Sequence, residues 1–305
     1  MVSLAYFEPS RIPPEIAAYK GDPQQLGVGS PGKLGGLKLD FSHEESGKTV
    51  LRGIWKRFPL QTLRALYYDE AQPDLAFVYI LNPGGGILQG DRLRIDATLG
   101  KDCKVHLTTQ AANKIYKMNV GYATQVINIR LGKGAYLEYL PDQTIPFKGS
   151  RFYQEVNVRM DDGTTLIYSE ILTSGRSGRE KFDFDIYYSR LTVTHNDRWP
   201  ILTDTAVLQP KKQELTGLGM MNGYDALASM YIIDDRVTKR MAEEINERII
   251  ANSDVLAGAD MLPLANGVIA RILGPNNRAV KATTDMIWDI CRRELIGSPI
   301  PRIRK

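Results

Sequence analysis

From Thr49 to Leu208, apolar and polar residues alternate with a period of two. Side chains of successive strand residues point to opposite faces, so this period predicts half-buried β-strands. The runs are Val50–Phe58, Leu63–Tyr68, Leu75–Leu81, Leu93–Leu99, Lys104–Thr109, Thr124–Leu131, Ala135–Leu140, Phe152–Met160, Thr165–Leu172, Phe182–His195 and Leu202–Leu208. Gly, Asp, Asn or Pro breaks the pattern about every ten residues, the spacing of stacked sheets in a sandwich, barrel or solenoid. No strict repeat is visible, so a solenoid would be irregular in sequence. One local helix is expected at Gln110–Lys117, where Ala111-Ala-Asn-Lys-Ile-Tyr116 offers good helix formers.

The period changes after Pro210. A strand is expected at Ala228–Ile233 and another at Val268–Leu273. Between them Val237, Met241, Ile245 and Ile249 recur every four residues, which predicts a helix over Thr238–Ala251, with Asp235 near its start. A second helix is expected over Asn277–Ile296. Asn276 or Asn277 caps it, Val280, Ile287, Trp288, Cys291 and Leu295 share one face, and Gly297 followed by Pro299 stops it. At the other end, residues 1 to 36 are rich in Pro and Gly and poorly periodic until Leu37-Lys-Leu-Asp-Phe41 begins a first strand. The chain therefore reads as mainly β, in three parts. These are an irregular arm at 1–36, a body of stacked sheets at 37–210, and a small α+β part at 211–305 that carries two helices and packs on the body.

Composition narrows the classes. The 305 residues are 43% hydrophobic with a net charge of +4, enough for a large core and unlike a disordered chain. Basic residues are dispersed apart from the tail Arg302-Ile-Arg-Lys305, which argues against nucleic-acid binding. No run approaches the roughly 18 apolar residues of a membrane span. The N-terminal residues lack a signal-peptide pattern, and Cys103 and Cys291 make no disulfide framework, so a cytoplasmic protein is expected.

The densest turn signal is Leu81-Asn-Pro-Gly-Gly-Gly-Ile-Leu-Gln-Gly-Asp91. Gly84, Gly85 and Gly86 permit positive φ or close approach of another backbone. A phosphate-binding loop needs Gly-Lys-Ser/Thr and then a helix. Here Asp91 follows Gly90, and Arg92–Leu99 alternates as a strand, so a nucleotide site is disfavoured. Cys103 and His106 are three apart in one strand and face opposite sides, so they make no zinc pair. No Gly-x-Ser-x-Gly elbow occurs, and Ser174-Gly-Arg-Ser-Gly-Arg179 reads as a turn with solvated arginines. The acidic residues Asp91, Glu138, Asp142 and Glu170 fall at or near strand ends and offer hard oxygen ligands. A β-helical carbohydrate hydrolase using a carboxylate pair such as Asp142 and Glu170 is the enzymatic alternative.

Five blocks in order resemble the urease accessory protein UreD (UreH) family. They are Leu81–Asp91, Thr109-Gln-Ala-Ala-Asn-Lys-Ile-Tyr116, Leu137-Glu-Tyr-Leu-Pro-Asp-Gln-Thr-Ile-Pro-Phe147, Gly175-Arg-Ser-Gly-Arg-Glu180 and Gly297-Ser-Pro-Ile-Pro-Arg-Ile303. Gln89 stands where family members often have Gly. The resemblance implies an irregular β-helix-like stack of sheets and no enzyme. It implies a scaffold that binds urease apoprotein and UreF, recruits the GTPase UreG and helps deliver nickel. No cofactor is bound stably on this reading, Ni²⁺ being in transit, and a dimer within the accessory complex is compatible with it. On that expectation Asp91, Thr109, Glu138, Asp142 and Glu170 would line a nickel conduit. Arg151 and Arg176 would set its local charge, and the bare backbone at Gly84–Gly86 would admit a partner.

Overall fold

The structure is a computed structural model and describes residues 3–21, 32–196, 200–251 and 254–303. Gly27–Pro31 of the arm, and Arg304 and Lys305 of the basic tail, lie outside the described residues. Two antiparallel strands, β1 (Leu34–His43) and β2 (Thr49–Arg57), lead in, followed by the short β3 (Gln61–Thr62). Four rungs then wind in the same sense. The first is β4 (Ala76–Leu81) and β5 (Arg92–Leu99). The second is β6 (Lys104–Thr109), β7 (Asn113–Ile115) and β8 (Ala123–Leu131). The third is β9 (Tyr136–Tyr139), β10 (Thr144–Pro146) and β11 (Arg151–Met160). The fourth is β12 (Thr165–Thr173) and β13 (Ile186–His195). Rungs stack in parallel, so β5, β8, β11 and β13 build one sheet and β4, β6, β9 and β12 build the other. The result is an irregular β-solenoid.

An antiparallel β14 (Pro200–Leu208) closes the first sheet. The C-terminal part supplies β15 (Ala226–Ile233), β16 (Leu256–Met261) and β17 (Gly267–Gly274), together with the helices Lys239–Ile250 and Asn277–Ile296. These strands do not form a sheet of their own. Residue by residue, β15 pairs with β12 and β17 with β15, so they extend the second sheet. With the single turn Pro14–Ala17 of the arm as α1, the two C-terminal helices are α2 and α3.

Strand alternation divides the interior into two cores. Leu166, Tyr168 and Leu172 of β12 face the first sheet, whereas Ile167 and Ile171 face the helices. Met241, Ala242, Ile245 and Ile249 of α2, and Ile287 and Trp288 of α3, cover that outer side. Burying each such Ile contributes about 2 kcal/mol. The Asn276 side chain caps α3 by accepting from the Ala279 N–H at 3.0 Å, and Gly297, at φ 68°, ends it in the left-handed region.

Two expectations change, and one strand was not expected. Gln110–Lys117 contains no helix. Asn113–Ile115 is a short strand, because Ile87 and Tyr116 exchange backbone bonds with neighbours one rung away (Ile87 N–H to Lys114 O, 2.8 Å; Tyr116 N–H to Ile87 O, 2.9 Å). Stacking of rungs overrides local propensity there. Leu63–Tyr68 is mostly irregular, with one bridge between Leu66 and Phe77. The small-residue strand Leu256–Met261 carried too little apolar patterning to be foreseen. The described part of the arm is tethered to the body: Tyr6 OH donates to Asp96, and the Arg92 guanidinium pairs with Glu8 at 3.0 Å.

Candidate functional site

The alternation that builds the core is interrupted at one level. In β11 the inward positions read Phe152, Gln154, Val156, Val158, and in β12 they read Leu166, Tyr168, Glu170, Leu172. Register lines these exceptions up. Gln125, Gln154 and Ser189 are direct partners across β8, β11 and β13. Glu170, Ser229 and Arg271 are direct partners across β12, β15 and β17. A polar seam therefore crosses the space between the sheets, perpendicular to the strands.

The seam is hydrogen-bonded at its centre. Gln154 Nε2 donates to Glu170 Oε1 at 3.2 Å, Ser189 Oγ donates to Glu170 Oε2 at 3.0 Å, and Tyr187 OH donates to Glu170 Oε1. Two cavities have Glu170 in their walls. The larger, about 150 Å³, extends to Thr109, Asp142 and the glycine loop at Gly85 and Gly86. The smaller, about 20 Å³, holds no more than a water and ends at Asp204 and Arg271. A wider depression along Arg94, Asp96 and Asn128 lies on the outer face of the first sheet, where Arg94 and Asp96 pair with each other at 2.9 Å.

Burial raises the Glu170 carboxyl above its usual range, against the opposing hydrogen bonds from Tyr187 and Ser189. A cation arriving beside it would displace its proton. Hydroxyls, amide oxygens and carboxylates are hard, exchangeable ligands. No three His, Cys, Asp or Glu side chains converge into a metal-holding group among the described residues. The seam thus offers oxygen contacts in succession rather than a closed cage.

Of the residues expected to line a conduit, Thr109, Asp142 and Glu170 line the larger cavity together, and the Asp142 N–H donates to Thr109 Oγ1 at 2.8 Å. The other two are placed elsewhere. Asp91 is fully buried and clamps the glycine loop, accepting from the backbone N–H groups of Lys33 (2.8 Å) and Leu88 (2.9 Å). Glu138 faces the helices, where it takes Arg292 Nη1 at 3.0 Å, His106 Nδ1 at 2.7 Å and Tyr136 OH at 2.6 Å. Burial works to raise the Glu138 carboxyl, but His106 and Arg292 outweigh it and hold it below the usual range.

Neither arginine expected to set charge lines the seam. Arg151 pairs with Asp185 at 2.7 Å, and Arg176 pairs with Glu180 while its guanidinium lies over Phe147. Of the three glycines, only Gly86 meets another backbone closely, since a Cβ there would lie 2.5 Å from Lys114 O. Gly85 faces open space at φ 79°. Gln154, Ser189, Asp204, Ser229 and Arg271 escaped the sequence reading. Their signal was a polar residue at an inward position of an otherwise apolar alternation, and only strand register shows that these positions share one level. Among the described residues, no helix is long and apolar enough to cross a membrane.

These features define a β-solenoid with a polar seam through its core. Residues 33–305 match the family described as UreD urease accessory protein. The chain is 37% identical over 296 residues to the urease accessory protein UreD of Photorhabdus laumondii, covering 94% of this chain and 91% of that one. It is 36% identical to the UreD of Cenarchaeum symbiosum, covering 92% and 99%. It is 35% identical to UreD 2 of Brucella suis, covering 94% and 96%. The chain belongs to the UreD family of urease accessory proteins.

Proposed function

We propose that this protein acts in the cytoplasm as a non-catalytic scaffold of urease maturation. It binds urease apoprotein and UreF, recruits UreG through UreF, and passes Ni²⁺ along the seam between its sheets. Family membership supports the maturation role. The observation that carries the nickel step is the placing of Thr109, Asp142 and Glu170 around one cavity. Oxygen ligands in a narrow passage hold a dication weakly enough to release it, as conduction requires. Ni²⁺ is cargo here, and no resident cofactor is part of the reading. The hydrolase alternative is disfavoured by size, because about 150 Å³ falls below the roughly 300–1,000 Å³ of small-molecule pockets.

The test is co-purification with UreF and the urease subunits, followed by urease activation with Ni²⁺ and UreG. The expected result is a stable complex, and activation that needs this protein and is lost in Asp142→Ala/Glu170→Gln. Activation independent of the protein would overturn the maturation role. Normal activation by the double variant would overturn the conduit.

A further inference from the structure

The far end of the seam is occupied by a charge pair. Asp204 on β14 belongs to the first sheet and Arg271 on β17 to the second, so their contact bridges the two sheets where the solenoid core opens towards solvent. The carboxylate of Asp204 also accepts from Tyr231 OH, and Arg271 Nη1 donates to Ser229 Oγ. The smaller cavity behind this pair has room for about one water, and Glu170 separates it from the larger cavity.

We propose that Arg271 is the specificity-determining gate of this passage, a tethered guanidinium that occupies the oxygen ligands a travelling dication would otherwise use. The inference rests on the conduit reading and adds to it the residue that decides when the passage is open. Three observations carry it. Arg271 shares one row with Glu170 and Ser229, so it stands on the path itself. Its partner Asp204 is an acidic oxygen donor, the chemistry a dication takes. The Arg271 side chain is 46% exposed whereas Asp204 is 22% exposed, so the guanidinium can leave into water with little desolvation to reverse, and the carboxylate stays behind. A cation in the smaller cavity would be repelled by Arg271 while the pair is made, and would be bound by Asp204 once it parts.

Ala206 lines the smaller cavity on the same strand as Asp204 and is half-buried. Cys103 and Cys291 are fully buried, so an Ala206→Cys thiol is the reactive one. The full-length Ala206→Cys protein is labelled with a small cationic methanethiosulfonate. Labelling should rise roughly fivefold in the Arg271→Gln background, the size of a half-exposed ion pair's contribution. It should return towards the starting rate in Arg271→Lys, and it should rise with salt when Arg271 is intact. The salt arm needs no change at the gate, so it decides the matter even where Arg271→Gln fails to fold. Labelling unmoved by substitution and by salt would overturn the gate.

Urease activation is then measured with Glu170→Gln and with Arg271→Gln. Normal activation by Glu170→Gln would overturn the conduit and, with it, any role of Arg271 towards nickel. Loss with Glu170→Gln, together with activation by Arg271→Gln that no longer responds to salt, supports both. Loss with Glu170→Gln while Arg271→Gln keeps the wild-type salt response would sink the gate alone.

Discussion

Glu138 and Arg292 are 154 residues apart in the chain, yet Arg292 Nη1 lies 3.0 Å from Glu138 Oε1 with neither side chain exposed. Arg292 also reaches Asp69 and Ser298. One buried guanidinium on α3 thereby ties together β9, the chain between β3 and β4, and the C-terminal tail. Removing it takes the guanidinium from two buried carboxyl groups, leaving Glu138 with His106 and Tyr136 and Asp69 with the Ala71 N–H. Arg292→Met should cost about 3–5 kcal/mol, because a buried charge that loses its partner keeps its full desolvation penalty. Urea denaturation would show this as a lower midpoint, and an unchanged midpoint would contradict the assignment.

The same cluster sets an acid limit. The Glu138 carboxyl is held below its ordinary value in the fold. Its contribution is present above the unfolded carboxyl range and is lost as pH falls through the depressed value. Asp185, Asp234 and Asp289 are depressed as well, each by cationic partners that outweigh burial. Stability should therefore decline steeply on acidification below about pH 4, the range of free carboxyls, and Glu138→Gln should show a shallower decline. Thermal melts across pH measure both slopes.

Glu170 has the opposite sign. Its pKa is raised by burial, so its contribution is present at low pH and is lost as pH rises through the raised value. Glu170→Gln should gain on the native protein as pH rises from the ordinary carboxyl range through the raised value, the gap then levelling off. Equal pH dependence for the two proteins would show that the carboxyl is not strained.

The glycine loop separates two effects. Gly86→Ala places a methyl 2.5 Å from Lys114 O at φ 145° and should cost about 3 kcal/mol, from overpacking and backbone strain together. Gly85→Ala meets no neighbour at φ 79° and should cost about 1 kcal/mol, from the left-handed backbone alone. Denaturation midpoints that fall in the reverse order would contradict this assignment.

Asn246 guards a sheet edge. Its side chain donates to Ala259 O at 2.7 Å and accepts from Ala259 N–H at 2.8 Å, so it occupies edge groups of β16 that a strand from another molecule would use. Asn246→Leu should leave those groups open and raise self-association, visible as increased light scattering at a concentration where the native protein is monodisperse.

The sequence by itself determined most strand positions, the two C-terminal helices and the family. Each of these rests on local information: a period of two or about four, a cap at Asn276, a stop at Gly297, and loop motifs read in order. It also put Asp91, Thr109, Glu138, Asp142 and Glu170 forward together, of which Thr109, Asp142 and Glu170 line one cavity. Tertiary structure decided the rest. Asp91 and Glu138 carry the same chemistry as Asp142, but Asp91 clamps a loop and Glu138 faces α3, because the side of the sheet that a residue meets depends on strand register and on what packs there. Gln110–Lys117 has helical propensity and becomes a rung corner, since a neighbouring rung supplies its hydrogen bonds. Gln154, Glu170, Ser229 and Arg271 look unrelated along the chain. They share one level only through strand register, parallel between rungs for Gln154 and antiparallel through β15 and β17 for Glu170, Ser229 and Arg271, which is a long-range property that no local window contains.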